Sequence, residues 1–184
     1  MSAWRDENSL TTVDALLQEV PGRPTKYHDP KLRHVEEELL QHYRDYCHFC
    51  NKVCVNDPDA GKKLWHLDDM ILFDLMGQVK RSDFGAHYDK ITPYLADAQI
   101  TIKELEVVAV TETFGYATNV QRYWGTATDG NPFDLHFRAT SLIKKEDGQW
   151  RMIHEHLSFP CDMSTKIADF TSGLAIEESL ALKK

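Results

Sequence analysis

The second half of the chain contains four long segments that are rich in β-branched and aromatic residues, the residue types that favour β-strands. These predicted strands span residues 100–110, 113–124, 133–144 and 149–159. Turn-forming sequences, TDGN and EDG, separate the last three strands, so we expect antiparallel hairpins. Because an antiparallel sheet in such a chain buries one face under helices, the pattern predicts an α+β domain.

The first half of the chain supplies the predicted helices. Apolar residues recur at every third or fourth position between residues 32 and 53, which indicates one long amphipathic helix. Asp29 and Pro30 suit its start, because the carboxylate can cap the first turn and proline fits the first helical position. Shorter helices are expected at residues 59–66 and 82–95, with a short strand at residues 70–73 between them and a turn starting at Gly77.

The two ends of the chain differ in composition from the part between them. A short helix is expected at residues 9–20, and the sequence PGRPTKYHDP that follows it reads as a linker because it holds three prolines and a glycine. We therefore predict an N-terminal extension and linker at residues 1–30, one domain at residues 31–165, and a partly helical tail at residues 166–184.

Charge and hydropathy exclude several classes of partner. The net charge of −8 at pH 7 argues against a nucleic acid or an anionic membrane as the partner. No apolar run is long enough to span a bilayer. The first ten residues have no apolar segment of the secretory type, so a cytoplasmic protein is expected. A small molecule or another protein remains as the partner.

Three of the four cysteines, Cys47, Cys50 and Cys54, share one face of the predicted long helix. A metal or iron–sulfur site would need further ligands at matching spacing, and none follow nearby. A buried free cysteine behaves as a small hydrophobic residue. We therefore predict that the three thiols belong to the core.

The last predicted hairpin carries most of the histidines of the second half. If EDG forms a three-residue loop with glycine in the left-handed conformation, Thr140 pairs with His154 and Arg138 with His156. The apolar face of this hairpin then includes Phe137, Ile153 and Leu157. The polar face carries His136, Arg138, Thr140, His154, His156 and Ser158. This polar face either lines a half-polar pocket or faces solvent.

The same segment, FRATSLIKKEDGQWRMIHEHLSFPCD, resembles the closing hairpin of SnoaL-like, ketosteroid-isomerase-related proteins of the nuclear-transport-factor-2-like superfamily. These proteins show Arg-x-Thr, a lysine-rich strand, Asp-Gly-x-Trp and a His-x-His-x-Ser-x-Pro ending. The matching residues are Arg138, Thr140, Asp147, Gly148, Trp150, His154, His156, Ser158 and Pro160. The oligomerisation domain of calcium/calmodulin-dependent kinase has a similar ending. The similarity covers roughly residues 32–165.

The resemblance implies a cone, in which a bent antiparallel sheet wraps around the helices and encloses a pocket. Members of the family are commonly dimers through the outer sheet face, so a homodimer of that kind is expected. This arrangement would bury the apolar face with Phe137 between protomers and turn the face with His156 toward the pocket.

The resemblance also implies a catalytic site. Ketosteroid isomerases use an aspartate general base at the position of Asp74, and an apolar cavity raises the pKa of such a carboxylate. His156 could move a proton and Arg138 could bind an oxyanion, whereas their structural alternatives are backbone hydrogen bonds and an ion pair. The tyrosine of the isomerases falls on Cys50, and their second acid has no clear counterpart. The predicted ligand-lining residues are His154, Tyr123, Thr140, Trp65 and His136.

Two functions follow from this pattern. The first is a proton-transfer enzyme without a cofactor, an isomerase, cyclase or dehydratase, that acts on a small hydrophobic carbonyl compound. A His-x-His pair on a strand also occurs in metal sites, but the resemblance implies neither a metal nor a cofactor. The alternative is a non-catalytic module of the same fold that binds a small ligand or assembles into oligomers.

Overall fold

The computed structural model describes residues 3–75, 79–81 and 83–171, and all four predicted long strands are present in it. They are β3 (Gln99–Thr111), β4 (Phe114–Thr126), β5 (Pro132–Glu146) and β6 (Gln149–Ser158). Two short strands, β1 (Ile71–Phe73) and β2 (Val79–Arg81), complete the sheet. Within the described residues the strand order is β2-β1-β6-β5-β4-β3, and β1 runs parallel to β6 whereas the other neighbours are antiparallel.

The predicted helices are also present, although two segments differ in helix type. They are α1 (Val13–Leu17), α2 (Arg33–His48) and α3 (Phe84–Tyr94), together with a 3₁₀ helix at Pro58–Leu64. Asp29 caps the 3₁₀ turn that leads into α2, as the sequence predicted. The last turn of the predicted long helix is a π-helix, Phe49–Val53, which turns both Phe49 and Cys50 into the core.

One face of the sheet packs on α2, and we name it the inner face. Along β5 the residues Phe137, Ala139, Ser141 and Ile143 are buried on this face. The residues between them, such as Arg138, point to the opposite, outer face. Alternation along the strand therefore decides which side chains meet the helix. The inner face forms the core with the apolar stripe of α2, which includes Val35, Leu39, Leu40, Tyr43 and Cys47.

The three cysteines of the long helix lie in this core. Cys47, Cys50 and Cys54 are buried, as the sequence predicted. Burial raises the pKa of the Cys50 thiol well above its ordinary value and that of Cys54 to about 11, so both thiols are neutral near pH 7.

The β5–β6 hairpin has a different register from the predicted one. Its turn has two residues, Asp147 and Gly148, and both have positive φ (51° and 78°), as a type I′ turn requires. Glu146 therefore pairs with Gln149, and the predicted three-residue loop is wrong. Asp147 tolerates the left-handed conformation because its short polar side chain can hydrogen-bond locally.

A β-bulge in β6 changes the register a second time. Met152 pairs with Ile143, but His154 pairs with Leu142, so Ile153 is the extra residue. The two shifts together move the pairing by two positions, which places Thr140 opposite His156 instead of His154. Arg138, in the same way, lies opposite Ser158 and not opposite His156. Side chains alternate between the two faces of a strand, so a shift by two positions leaves these polar residues together on one face.

That shared face is the outer one, which reverses the predicted orientation of the hairpin. Arg138, Thr140 and His156 are exposed, whereas Phe137 is buried and Leu157 packs on the core. The sequence predicted that Phe137 and Leu157 lie on an apolar outer face. This prediction is wrong, because both residues belong to the inner face. The polar residues on β5 and β6 obey the ordinary rule that exposed strand positions are polar.

The N-terminal residues pack against the domain instead of standing apart from it. Arg5 and Ile102 exchange two backbone hydrogen bonds of 2.7 and 2.8 Å. The imidazole of His28, in the predicted linker, lies 2.7 Å from Glu36 Oε1 and 3.1 Å from Glu106 Oε1. The apolar side chains of this segment join the main core; they are Leu10, Val13 and Leu16.

The C-terminal part begins with a small hairpin. Strands β7 (Cys161–Asp162) and β8 (Ile167–Ala168) pair with each other where the sequence predicted the start of a helical tail. Residues 172–184, like the predicted turn at Gly77, lie outside the described residues. In the described part of the chain, no helix combines the length and the hydropathy that a membrane span needs.

Packing of the N-terminal segment predicts a large effect of a single substitution there. Leu10→Ala removes a side chain that is 1% exposed, so we expect the free energy of unfolding to fall by about 2–4 kcal/mol. Tyr27→Ala, in the same segment but 66% exposed, is the control and should change it by less than about 0.5 kcal/mol. Urea denaturation measures both, and equal effects would contradict the packing of residues 3–30 on the core.

Candidate functional site

Four polar side chains meet on the inner face of the sheet, where apolar residues are the rule. Glu155 on β6 and Ser141 on β5 are direct cross-strand partners. Asn119 reaches them from β4 and Tyr43 from α2. All four are buried, and we name them the inner polar cluster. A buried polar group is costly unless it is hydrogen-bonded, so the bonds within the cluster decide whether it is stable.

Hydrogen bonds connect the inner polar cluster in a single chain. Asn119 Nδ2 donates to Tyr43 Oη at 3.3 Å, and Tyr43 Oη donates to Ser141 Oγ at 3.1 Å. Ser141 Oγ donates to Glu155 Oε1 at 3.2 Å. The second carboxylate oxygen, Glu155 Oε2, accepts from the indole nitrogen of Trp65 at 3.1 Å. Both oxygens of the buried carboxyl group are thus engaged.

Burial changes the acidity of this carboxyl group. Desolvation raises the pKa of Glu155 to about 7, and the hydrogen bonds from Trp65 and Ser141 oppose that rise. A carboxyl group with such a pKa exists in both protonation states near neutral pH. General acid–base catalysis requires that property.

A second set of polar side chains lies beside the cluster. Tyr46 Oη donates to Gln121 Oε1 at 3.2 Å, and the Tyr123 hydroxyl interacts with the Cys50 thiol. Burial raises the pKa of Tyr46 and of Tyr123 well above the ordinary value, so both phenols stay protonated. Gln121 is 1% exposed, and its Nε2 has no hydrogen-bond partner among the described residues. A buried N–H group without a partner costs about 1–3 kcal/mol, and a ligand oxygen would satisfy it.

Aromatic rings surround Trp65, whose indole nitrogen donates to Glu155. The Trp65 ring has its centroid 5.5 Å from that of Tyr88 and 5.7 Å from that of Tyr46. Phe49 and Phe84 lie at 6.4 Å from the same ring. These rings occupy the space between α2, α3 and the sheet, so a ligand that reaches Glu155 has to displace part of this cluster.

Three of the residues predicted from the sequence belong to this inner region. Trp65 contacts Glu155 directly, and Tyr123 contacts Cys50. Asp74 follows β1 directly, and alternation from Leu72, which is buried and pairs with Glu155, places it on the inner face. One carboxylate oxygen of Asp74 is shielded from solvent.

The other predicted residues lie on the outer face. His156, Arg138 and Thr140 are exposed there, and His154 Nδ1 lies 2.9 Å from the carbonyl oxygen of Ile71 on β1. The His136 ring lies 5.1 Å from that of Trp4. The structure therefore does not bring Arg138 and His156 together with Asp74, and their catalytic roles stay predictions. Over the described ranges, no three His, Cys, Asp or Glu side chains converge as a metal site would require.

A surface groove of about 420 Å³ opens between α2, the 3₁₀ helix Pro58–Leu64 and the β5–β6 turn. No member of the inner polar cluster lines it. Its best-placed charges already satisfy each other, because Glu38 Oε2 accepts from Lys145 Nζ at 2.6 Å and from Trp150 Nε1 at 2.8 Å. The buried carboxyl group of Glu155 is the stronger candidate for chemistry.

Sequence reasoning missed the inner polar cluster. Glu155 lies between two histidines in the sequence, and Ser141 shares its strand face with Phe137. The useful signal was the alternation in β5, where Phe137 and Ile143 mark the inner face while Arg138 marks the outer one. Once the inner face is known, a glutamate on it is a buried carboxyl group by position alone.

A pH-dependent stability follows from the burial of Glu155. Its pKa is about 7 in the folded protein and about 4.5 in the unfolded chain, so only the unfolded chain releases the proton between these values. The free energy of unfolding should therefore fall by roughly 3 kcal/mol as the pH rises through this window. In Glu155→Gln this loss should be absent.

Urea denaturation of both proteins between about pH 4 and about pH 8 measures the effect. His42, whose pKa burial lowers to about 4, contributes with the opposite sign, because the folded state keeps it neutral while the unfolded chain binds a proton below about pH 6.5. His42 is present in both proteins and cancels in the difference. Parallel curves for the two proteins would show that Glu155 is not protonated at neutral pH.

Comparison with known proteins assigns the chain to a fold. Residues 46–162, more than half of the chain, match the family model of the SnoaL-like domain. A nuclear-transport-factor-2-like protein of unknown function from Pseudomonas putida superposes with a TM-score of 0.59 and 25% identity, over 74% of this chain and 94% of that one. No curated protein matches the sequence significantly.

Two further solved structures share the fold at lower identity. A provisionally named scytalone dehydratase from Novosphingobium aromaticivorans has a TM-score of 0.58 and 16% identity, over 70% of this chain and 87% of that one. The association domain of the calcium/calmodulin-dependent protein kinase II of C. elegans has a TM-score of 0.52 and 13% identity, over 71% and 99%. These similarities confirm the predicted α+β cone.

Proposed function

Since the chain belongs to the SnoaL-like family, we propose that it is a cofactor-independent proton-transfer enzyme that acts on a small hydrophobic carbonyl compound. One observation carries the proposal: the inner face holds both a buried carboxyl group, Glu155, and a buried amide donor, Gln121 Nε2, that has no hydrogen-bond partner among the described residues. Tyr46 links Gln121 indirectly to Glu155. Its hydroxyl group bonds to Gln121, and its ring contacts Trp65, the donor to Glu155.

Glu155 is the proposed acid–base group. Its carboxylate takes a proton from the carbon next to the substrate carbonyl, and the electron pair of the broken C–H bond moves to the carbonyl oxygen to form an enolate. The protonated Glu155 then returns the proton to another carbon, which gives an isomer, or to a hydroxyl group on the β-carbon. In the second case the C–O bond breaks, the enolate electrons form a C=C bond as the carbonyl is restored, and water and a dehydrated product result. A pKa near the working pH suits both halves of this cycle.

Gln121 is the proposed donor to the enolate oxygen. Its Nε2 has no hydrogen-bond partner in the described ranges and lies in a buried environment, where a fixed donor stabilises developing negative charge far better than it would in water. Tyr46 strengthens that donor, because its hydroxyl group donates to Gln121 Oε1. In this proposal Gln121 has the role that the sequence suggested for Arg138, which lies on the outer face.

Asp74 is the proposed second carboxyl group. It follows β1, the strand that pairs directly with β6, and alternation places it on the same face as Glu155. Two carboxyl groups in different environments can divide the acid and base roles between them. The fold shared with a provisionally named dehydratase supports this class of chemistry, since dehydration next to a carbonyl is a proton transfer.

Activity should depend on the inner residues. A turnover screen with steroid, polyketide-like and short β-keto substrates should find at least one substrate, and Glu155→Gln should lower its turnover by at least about 100-fold. Gln121→Met, which keeps the length but removes the donor, should lower it by about 100-fold through kcat. Asp74→Asn should lower it as well, whereas His156→Ala on the outer face should leave it unchanged.

Glu112→Gln provides the matched control, because Glu112 is exposed at the β3–β4 turn. Turnover that survives in Glu155→Gln would contradict the role of the inner face. A loss in His156→Ala with full activity in Glu155→Gln would favour the site first predicted from the sequence.

The second candidate function is a binding or assembly module. The dense aromatic packing around Trp65 favours it, as does the shared fold with a kinase association domain. If ligands from the same screen shift the midpoint of thermal unfolding but none is converted, this alternative is correct.

We also propose a homodimer through the outer sheet face, on which Arg138, Thr140 and His156 are exposed. Arg138→Glu reverses a charge at the centre of that face and should convert the dimer into a monomer. Lys52→Glu, at an exposed position on the π-helical turn, is the control. Light scattering after size-exclusion chromatography measures the mass, and a dimer that survives Arg138→Glu would exclude this face.

A further inference from the structure

The inner polar cluster has a hydrogen-bond direction that suits only one protonation state of Glu155. In the chain Asn119–Tyr43–Ser141–Glu155, every hydrogen points toward the carboxyl group. Such an order fits an ionised carboxylate, which only accepts. It leaves Asn119 Oδ1 buried without a hydrogen-bond partner among the described residues.

Protonation of Glu155 forces a different order. The indole of Trp65 is a donor only, so Oε2 remains an acceptor and the new proton has to sit on Oε1, facing Ser141. Ser141 then accepts from Glu155 and has to donate to Tyr43 Oη. The Tyr43 hydroxyl group in turn needs an acceptor, and its remaining neighbour in the chain is the amide of Asn119.

Asn119 can supply that acceptor by turning its amide over. The turn places Oδ1 where Nδ2 was, 3.3 Å from Tyr43 Oη, and gives the unpartnered oxygen a donor. The amide oxygen and nitrogen are nearly equal in size, so the surrounding side chains need not move. We propose that the amide of Asn119 reverses its orientation each time Glu155 gains or loses a proton, and that it is the positioning residue that gives the Tyr43 hydroxyl group a hydrogen-bond partner in both states.

This inference rests on the proposed function only in the role of Glu155 as the group that carries the proton. As a consequence of the amide reversal, the hydroxyl hydrogens of Ser141 and Tyr43 are hydrogen-bonded in both protonation states of Glu155. A group that alternates between acid and base then meets a matched environment in each half of the cycle.

Other titratable groups around Glu155 do not produce the same pH-dependent reversal of the Asn119 amide. Tyr43, Tyr46 and Cys50, which face it from α2 and the π-helical turn, all have a pKa raised by burial and stay neutral. His154 and His156, its neighbours in β6, belong to the outer face. Asp74 follows β1, the strand that pairs with β6, and the experiment includes Asp74→Asn as a control.

Nuclear magnetic resonance of the isotope-labelled protein tests the inference without any substrate. At about pH 8.5 the amide protons of Asn119 should show nuclear Overhauser effects to the ring protons of Tyr43 next to its hydroxyl group. At about pH 5.5 these effects should be lost, and the loss should follow the titration of the Glu155 side-chain carbon with the same midpoint. Asp74→Asn should behave like the wild type.

Glu155→Gln provides a decisive comparison. Trp65 donates only, so the amide oxygen of the new glutamine faces the indole and its N–H group faces Ser141, as in protonated Glu155. Asn119 in this variant should show the low-pH pattern at every pH. The amide of Gln121 bonds to Tyr46 and is not part of the hydrogen-bond chain Asn119–Tyr43–Ser141–Glu155. Its nuclear Overhauser effects to the Tyr46 ring should be constant in all samples, so it is the internal control.

The outcomes separate this inference from the proposed function. An Asn119 amide that keeps its contacts to Tyr43 while Glu155 titrates overturns the inference, whether or not Glu155→Gln abolishes turnover. An amide that reverses with the titration in the wild type and is fixed in Glu155→Gln supports it, even if the substrate screen finds no activity.

Discussion

The burial of one carboxyl group, Glu155, on the inner face of the sheet determines which hydrogen bonds the side chains around it have to make. An ionised carboxylate in such a place is expensive unless donors surround it. The domain supplies two donors, the indole of Trp65 and the hydroxyl group of Ser141, and burial still raises the pKa to about 7. The balance is close, so neither protonation state is excluded near neutral pH. The buried side chains Tyr43 and Asn119 have to accommodate both.

Strand alternation explains why a glutamate occupies this position between two exposed histidines. Direct pairing with Ser141 places Glu155 on the face that packs against α2, and it turns His156 outward. The same alternation places Phe137 inside and Arg138 outside on β5. The His-x-His motif therefore marks the strand of the fold, whereas the residue between the histidines enters the interior. A motif can be diagnostic of a fold without supplying its chemistry.

The sequence predicted the elements well because periodicity and turn residues are local properties. Asp29 caps the start of the long helix, and the four long strands lie where β-branched residues accumulate. The hairpin register depended on the φ of a single residue, Asp147, which at 51° makes the turn two residues long. The bulge at Ile153 had no local signal. Both features are set by packing across the sheet, which no window of sequence reveals. The orientation of the inner face, in contrast, is a local property of β5, where Phe137 alternates with Arg138.

The polar interior has a cost that the fold itself does not require. Two buried groups, Gln121 Nε2 and Asn119 Oδ1, lack partners among the described residues, and each such group destabilises a domain by about 1–3 kcal/mol. Apolar side chains at these positions would fill the same space between the sheet and α2 without that loss. A total stability of about 5–15 kcal/mol makes such a loss substantial. Folding alone does not account for these two groups, whereas the proposed function gives Gln121 Nε2 a ligand oxygen and the proposed turn of the Asn119 amide gives Oδ1 a donor.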